Sequence, residues 1–457
     1  MIRAISVILT LTLAACAGTP DVTRTAPNPV AISVTRSFGP AFVLPNMRSN
    51  AEMLRDFERL AFELESGRSL NVLSRFEGPV TVRLTGSMPN ATASKDLDAL
   101  VGRLRAEAGI PISRVAPREA ASITVEMVSA SAIHRVAPNA ACFVAPNVSG
   151  WSDFLKSRKS ANSDWTLLQE RRQMAVFIPS NVSSQEVRDC LHEELAQALG
   201  PVNDLYDAHD SVFNDDNFHT ILTGFDMDIL RLFYAPSLSS GMPKEQVLAR
   251  LPGILAAQRP NAPLGPTRPD PGLTPQTWRD AIEDALGPGT PDSARAPAAR
   301  WALEVARSME WRDNRLGFSL YAVARLHMNT DPDRALSAFA EADRLYSRML
   351  GAEIQLAHIS IHAAAFALSN GRFDDAISIV DENLPVATRA QNAGLMSTLL
   401  MVKSAALSAL GDSKAAEAVR VDSFSWASYA FTSGGEISQR YNEILEMVPQ
   451  NLRSERQ

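Results

Sequence analysis

Polar side chains able to do chemistry crowd into the stretch from Cys190 to His219. At its centre stands Glu193-Glu194-Leu195-Ala196-Gln197-Ala198-Leu199-Gly200-Pro201-Val202-Asn203. Glu193 and Gln197 are four residues apart, so a helix stacks them on one face, whereas Glu194 points about 100° away. A carboxylate held beside another in a cleft has a raised pKa and suits general acid–base work. The divergence of Glu193 and Glu194 speaks against one proton shared between them. Downstream, Asp204, Asp207, Asp210, Asp215 and Asp216 with His209 and His219 make an acidic loop. It lacks the D-x-D-x-D-G order of a calcium loop and reads as solvated surface. Its histidines become nitrogen ligands only if the fold returns them over Glu193. His192 has no partner one turn on, where Ala196 stands. Cys142 and Cys190 form an even pair; a bridge between them would contribute roughly 4 kcal/mol by loop closure, and two buried free thiols are the alternative.

The elements that must position these groups follow from periodicity. Leu54, Phe57, Leu60, Ala61 and Leu64 recur on one face and predict a helix over 51–66. Val80–Thr85 and Ile123–Val128 alternate as strands, with a short edge strand at Cys142–Val144 and a buried one at Met174–Ile178. Ser94 caps a helix that runs to about Ala108, and Ser183 or Ser184 caps a helix over Gln185–Leu199, stopped by Gly200-Pro201. Strand, helix, strands, helix is the order of an α/β unit. Between residues 259 and 297, six prolines from Pro260 to Pro275 leave room for one short helix at Pro275–Leu286, and this stretch reads as an inter-domain linker.

From Ala298 onward the pattern is helical throughout. Asp331-Pro-Asp-Arg-Ala335, Gly371-Arg-Phe-Asp-Asp-Ala376 and Gly411-Asp-Ser-Lys-Ala-Ala416 are turn-plus-helix starts at a period of about 40 residues. Small residues such as Ala363-Ala364-Ala365 precede them. The pattern resembles a tetratricopeptide-like array, with a longer repeat, and implies a packing and protein-interaction platform. Trp301, Trp311 and Trp426 read as its core.

The helix from Glu193 to Asn203 resembles the H-E-x-x-H-x-x-G-x-x-H motif of metzincin zinc peptidases, with the spacing kept and all three histidines replaced. The resemblance puts Glu193, Gln197 and Asn203 at the metal positions, Glu194 at the general base and Gly200 at the turn. Phe213, within Asp210-Ser-Val-Phe-Asn214, takes the place of the methionine beneath the metal. Leu222–Asp226 followed by Ile229–Tyr234 is similar to the closing helix. Cys190–Asn203 with Ser211–Asp215 and Leu222–Met242 also resembles a bacterial family of unknown function built on these segments. A peptidase zinc needs three good donors and an open position for water. One carboxylate and two amide oxygens suit a hard cation weakly and zinc hardly at all. Without the metal, Glu194 has no activated water to deprotonate.

Met1 to Cys16 has a basic start and an apolar run, a secretory signal too short to span a membrane stably. Its end, Leu13-Ala14-Ala15-Cys16, resembles a bacterial lipobox, which implies cleavage before Cys16 and acylation of that cysteine. Ala17 in place of an aspartate then implies the periplasmic face of the outer membrane. The 44 Lys+Arg against 51 Asp+Glu leave no basic patch, and Arg171-Arg172 is too small a cluster for nucleic acid. No C-x-x-C, G-x-S-x-G, Walker A or G-x-G-x-x-G occurs, so redox, serine-hydrolase and nucleotide chemistry are not indicated.

The expected architecture is therefore α+β. A signal ending at Cys16 (1–16) leads to a flexible tether (17–48), a metzincin-like α/β domain (49–258), a Pro-rich linker (259–297) and an all-α, tetratricopeptide-like domain (298–450). The expected function is a non-catalytic pseudo-peptidase: a lipid-anchored envelope scaffold that binds a protein partner through its helical repeats, with no cofactor or nucleic acid, and with the old cleft as a peptide groove. The alternative is an atypical metal-dependent peptidase or amidase using Glu194 as base, with Glu193 and His209 or His219 around the metal.

Overall fold

The computed structural model describes residues 36–450 apart from Val43, residues 88–90, Pro269 and Pro288. The signal and Cys16 lie outside the described residues.

Helix α1 (Asn50–Phe62) starts at Ser49, whose hydroxyl and backbone N–H form a capping box with Glu52. It buries Met53, Phe57 and Leu60. Strand β1 (Val80–Gly86), helix α2 (Ala91–Glu107) and the short strands β2 (Ile112–Arg114) and β3 (Ile123–Val128) follow. After α3 (Ala130–His134) come β4 (Phe143–Pro146), α4 (Trp151–Ser157) and β5 (Met174–Pro179). The sheet order is β2-β1-β3-β5-β4, parallel except for the antiparallel edge β4. Every residue of β5 is buried, as a central strand covered on both faces requires. Helix α5 (Ser184–Leu199) lies against β4 and β5, and α6 (Gly224–Phe233) and α7 (Lys244–Gln258) complete this part. The Cys142–Cys190 disulfide ties the entry of β4 to α5, with Cα atoms 6.0 Å apart.

The remainder is helical: α8 (Gln276–Leu286), α9 (Asp292–Ser308), α10 (Asn314–His327), α11 (Pro332–Tyr346), α12 (Glu353–Ser369), α13 (Phe373–Arg389), α14 (Ala393–Ala409), α15 (Ser413–Ala430) and α16 (Gly434–Met447). Neighbours pack as hairpins, α8 on α9, α10 on α11, α12 on α13 and α14 on α15. Small residues carry the close contacts, with Ala322, Ala357, Ala364 and Ala406 fully buried. Trp301 departs from the core expectation: it is exposed on α9, while Trp311 is buried and Trp426 stacks on Phe38. None of the helices among the described residues is long and apolar enough to cross a membrane.

Two segments expected to be loose are pinned. In residues 36–48, the end of the expected tether, Phe38 stacks on Trp426 of α15 at 4.7 Å and lies under Arg188 of α5. Gln391 donates to the Gly39 carbonyl and Asn46 to Asp228. Aromatic burial and charge pairing outweigh the flexible composition there. The Pro-rich stretch likewise forms a strap. Thr267 and Arg268 donate to Glu52, Arg268 pairs with Asp56, and Arg315 of α10 donates to the carbonyls of Pro271 and Leu273. Proline excludes regular structure without preventing side-chain and carbonyl anchoring.

Candidate functional site

Helix α5 is held at both ends. The Ser183 hydroxyl accepts from the Glu186 N–H at its start. At its end the guanidinium of buried Arg171 donates to the carbonyls of Gln197 and Gly200, setting a cation against the negative end of the helix. Gly200 serves close approach: a Cβ there would lie 2.8 Å from the Phe233 ring. His192 is buried and neutral, since burial lowers its pKa well below the ordinary value, and its Nδ1 accepts from the Leu222 N–H.

The motif residues separate in use. Asn203 is buried and donates to the Arg59 carbonyl at 3.1 Å, a structural role. Gln197 is buried near the capped end of α5. Phe213 is wholly buried, its carbonyl accepting from Leu205 N–H. Glu193 lines a cavity of about 20 Å³, together with Asp189, Asp215, Asn217, His219 and Thr220. That volume suits one water or one ion, not a peptide. His219 therefore does return to Glu193, whereas His209 turns away to donate to the Leu350 carbonyl at 2.7 Å.

Around Asp215 the molecule gathers carboxylates from separate segments. Glu65 comes from the turn after α1, Glu193 and Glu194 from α5, and Asp204 and Asp215 from the loop after it. Burial, and then the charge of Glu65 and Asp215, pushes the Glu194 carboxyl up to about 8. Burial and the same neighbours raise Glu193 and Asp204 well above the usual range. Glu65 and Asp204 lie within hydrogen-bond reach of each other. Glu194 is 5% exposed and its Oε2 has no hydrogen-bond partner. His219 is held neutral, its pKa lowered by burial to about 4, and its Nε2 is likewise unpartnered.

Apart from Asp215 and Asn217, which stay exposed, the acidic loop is not solvated surface. Asp207 pairs with Arg59 at 2.6 Å and Asp210 with Arg48. Asp216 accepts from Asn214 and from Asn314 of α10, and Tyr346 donates to Asn314 in turn. Phe218 inserts among Phe318, Tyr321, Tyr346 and His358 of the helical part. Thr220 donates to the Ala390 carbonyl, Gln355 to that of His209, and Arg188 to Gln391. The helical array thus closes over the loop that follows the motif helix, and the carboxylates left over are the ones gathered around Asp215.

A zinc centre of the peptidase type does not fit these residues. Asn203 is committed to Arg59, and among the described residues no three His, Cys, Asp or Glu side chains are arranged as metal ligands. A larger groove, about 320 Å³, lies between the start of α1 and the end of α7 near Arg259 and Leu264, away from the motif.

Residues 50–253 match the model of a family described as a protein of unknown function (DUF2927). The match begins at α1, ends inside α7 and so covers the α/β part alone. No curated protein and no solved structure matches the chain.

Sequence reasoning missed Glu65, which lies far earlier in the chain than the helix it faces, and Arg171, which reads in sequence as half of a basic pair too small for nucleic acid. It also missed Phe218, which with Tyr206 and Phe213 makes three aromatics among the loop's acidic residues, a signal that the loop is covered.

Proposed function

We propose that this protein is a non-catalytic interaction or scaffolding module of a bacterial cell envelope, lipid-anchored through Cys16. In this reading the metzincin-like motif is retained as structure, and the tetratricopeptide-like array clamps the α/β part and offers its outer side to a protein partner. One observation carries the reading: the helical array closes over the loop beside the motif helix, leaving at Glu193 a cavity of about 20 Å³ where a peptidase needs an open cleft. Exposed apolar side chains on the helices, Trp301 on α9 and Leu336 on α11, provide contact points for a partner. The old cleft is too small for the expected peptide groove, so recognition moves to the array.

The test places photo-crosslinking residues at Trp301 and Leu336, and at exposed Leu155 and Leu167 of the α/β part, in the full chain expressed in its native envelope. Crosslinks to a defined protein from the helical positions support the reading. Crosslinks from the α/β positions alone refute it. Cys16→Ser is expected to release the protein from the membrane fraction.

The competing reading is a metal-dependent peptidase or amidase with Glu194 as base. It is favoured by the buried, unpartnered Glu194 carboxyl held near pKa 8. Peptide hydrolysis that is lost in Glu194→Gln at unchanged stability would establish it.

A further inference from the structure

The chain carries more acid than base, yet one stretch inverts that balance. Residues 147–163 leave β4 as a closed loop. The side-chain amides of Asn147 and Asn162 each donate to the other's backbone carbonyl at 2.9 Å, and the Ser160 and Ser163 hydroxyls donate to the Ser157 carbonyl. Within this loop α4 turns Trp151 and Phe154 onto the sheet, where their rings pack with Phe143 and Phe177 at centroid distances of 5.0–6.3 Å. The outer side of α4 and the turn beyond it are bare. Leu155 is 45% exposed, with Lys156, Arg158 and Lys159 exposed beside it. The acids at hand are already committed. Asp153 accepts from the Ser149 N–H and hydroxyl, Glu126 from the Trp151 N–H, Asp164 pairs with Arg68 and Glu170 with Arg172. Among the described residues, no carboxylate pairs with the three cations of the loop. Arg135, exposed at the end of α3 over the same aromatic cluster, adds a fourth.

We propose that this tip, Leu155 with Lys156, Arg158 and Lys159, rests on an anionic phospholipid surface. Leu155 enters the headgroup layer, while the long stems of the cations lie along it and their heads meet lipid phosphates. Charge complementarity selects the occupant, since unpaired cations beside a bare leucine gain both from anionic headgroups and from the apolar boundary beneath them. Shape agrees. With residues 158–162 all exposed, the loop is a projecting tip rather than a groove, and a soft headgroup layer needs no matching surface to receive it. The contact goes beyond the anchor at Cys16 and stands without it. With that anchor, the stretch from Cys16 to Arg36 reaches at most about 70 Å, comparable to the width of a globule of this size, so lipid and tip can meet one bilayer. A lipid alone sets the distance from the membrane, whereas a second contact also sets which face points away from it.

The test places an environment-sensitive fluorophore at Leu155→Cys in the full chain carrying Cys16→Ser, where Cys142 and Cys190 are bridged and position 155 holds the free thiol. The same label at Leu336→Cys on α11 is the control. Vesicles of phosphatidylglycerol and phosphatidylcholine in equal parts are compared with phosphatidylcholine alone. The probe reports contact at Leu155 whether or not the N-terminal apolar run also inserts, so its outcome is separate from that of the anchor. The expected result is a blue-shifted emission at position 155, quenched by lipid-borne nitroxide, on the anionic vesicles and not at position 336. Each cation near such a surface strengthens binding about fivefold. Changing Lys156, Arg158 and Lys159 together to glutamine should therefore raise the lipid needed for half the shift roughly a hundredfold. Unchanged emission at position 155, an equal shift on phosphatidylcholine alone or at position 336, or an unchanged response in the triple variant would each overturn the proposal. A shift produced equally by soluble polyglutamate would overturn it too, in favour of an acidic protein as the occupant.

Discussion

Phe218→Ala tests whether the helical array holds the loop beside the motif helix. The ring is 2% exposed, and its centroid lies 5.0–6.4 Å from those of His358, Tyr321, Phe318 and Tyr346, edge to face with each. Losing roughly 150 Å² of apolar burial at about 25 cal/mol per Å² costs about 4 kcal/mol, inside the ~3–5 kcal/mol range of buried phenylalanine truncations. The neighbouring rings belong to α10, α11 and α12, which are packed on one another, so little collapse into the void is expected. In urea, with a slope of about 4 kcal/mol/M for a chain this long, the midpoint should fall by about 1 M. Limited proteolysis should at the same time begin to cut within residues 203–222, because Phe218 anchors the loop between the two parts. Leu167→Ala, at an exposed site, is the control and should change neither readout. A midpoint shift below about 0.2 M with no new cleavage would refute the clamp.

Replacing Cys142 and Cys190 together by alanine removes a crosslink across 48 positions and should cost about 4 kcal/mol by loop closure, read as the difference in denaturation between the oxidised parent and the variant. Arg171→Met strips two carbonyls at the end of α5 of their donor. A loss of about 2 kcal/mol is expected in the same assay, and a neutral result would show that desolvating the guanidinium cancels its hydrogen bonds. In chelator the melting temperature should fall as pH rises from about 5 to about 8.5. The sign follows from Glu194, whose folded-state pKa of about 8 exceeds its ordinary 4.5: its proton stabilises the folded chain fully below about 4.5 and no longer above about 8. Glu194→Gln should flatten that slope, and an unchanged slope would remove Glu194 as its source. Below about pH 4 the opposite sign takes over. Burial opposes ionisation of Asp207 and Glu52, yet Arg59 beside Asp207 and the Ser49 and Thr267 donors to Glu52 hold both carboxylates near pKa 2, and their stabilisation is lost on protonation.

Local periodicity made most of the α/β part legible. The strand read at 123–128 is β3, the helix read at 185–199 is α5 less one residue, and the 51–66 helix ends four residues early at Phe62, where the chain turns to bring Glu65 round. The three turn-plus-helix starts fall at the beginnings of α11, α13 and α15. The three-residue β2 was too short to carry an alternation. The site was less legible because it depends on what covers what. Five aspartates in one loop look solvated in sequence, and only the packing of the folded chain around that loop buries Asp207 and Asp216, while Asp215 stays exposed. Nothing in the composition near Glu65 indicates that it meets α5, since that contact is made by the chain path and not by any periodic pattern.

The docking of Phe38 between Trp426 of α15 and Arg188 of α5 has a mechanical consequence. The chain approaches the molecule from its N-terminal end at the junction of its two parts, with Arg36 bound to Asp422 just outside. A pull on that end loads the Phe38 and Gly39 contacts at this junction before it reaches α1. Tension would then peel residues 36–48 off the junction before it reached α1, leaving the contacts between the array and the α/β body in place.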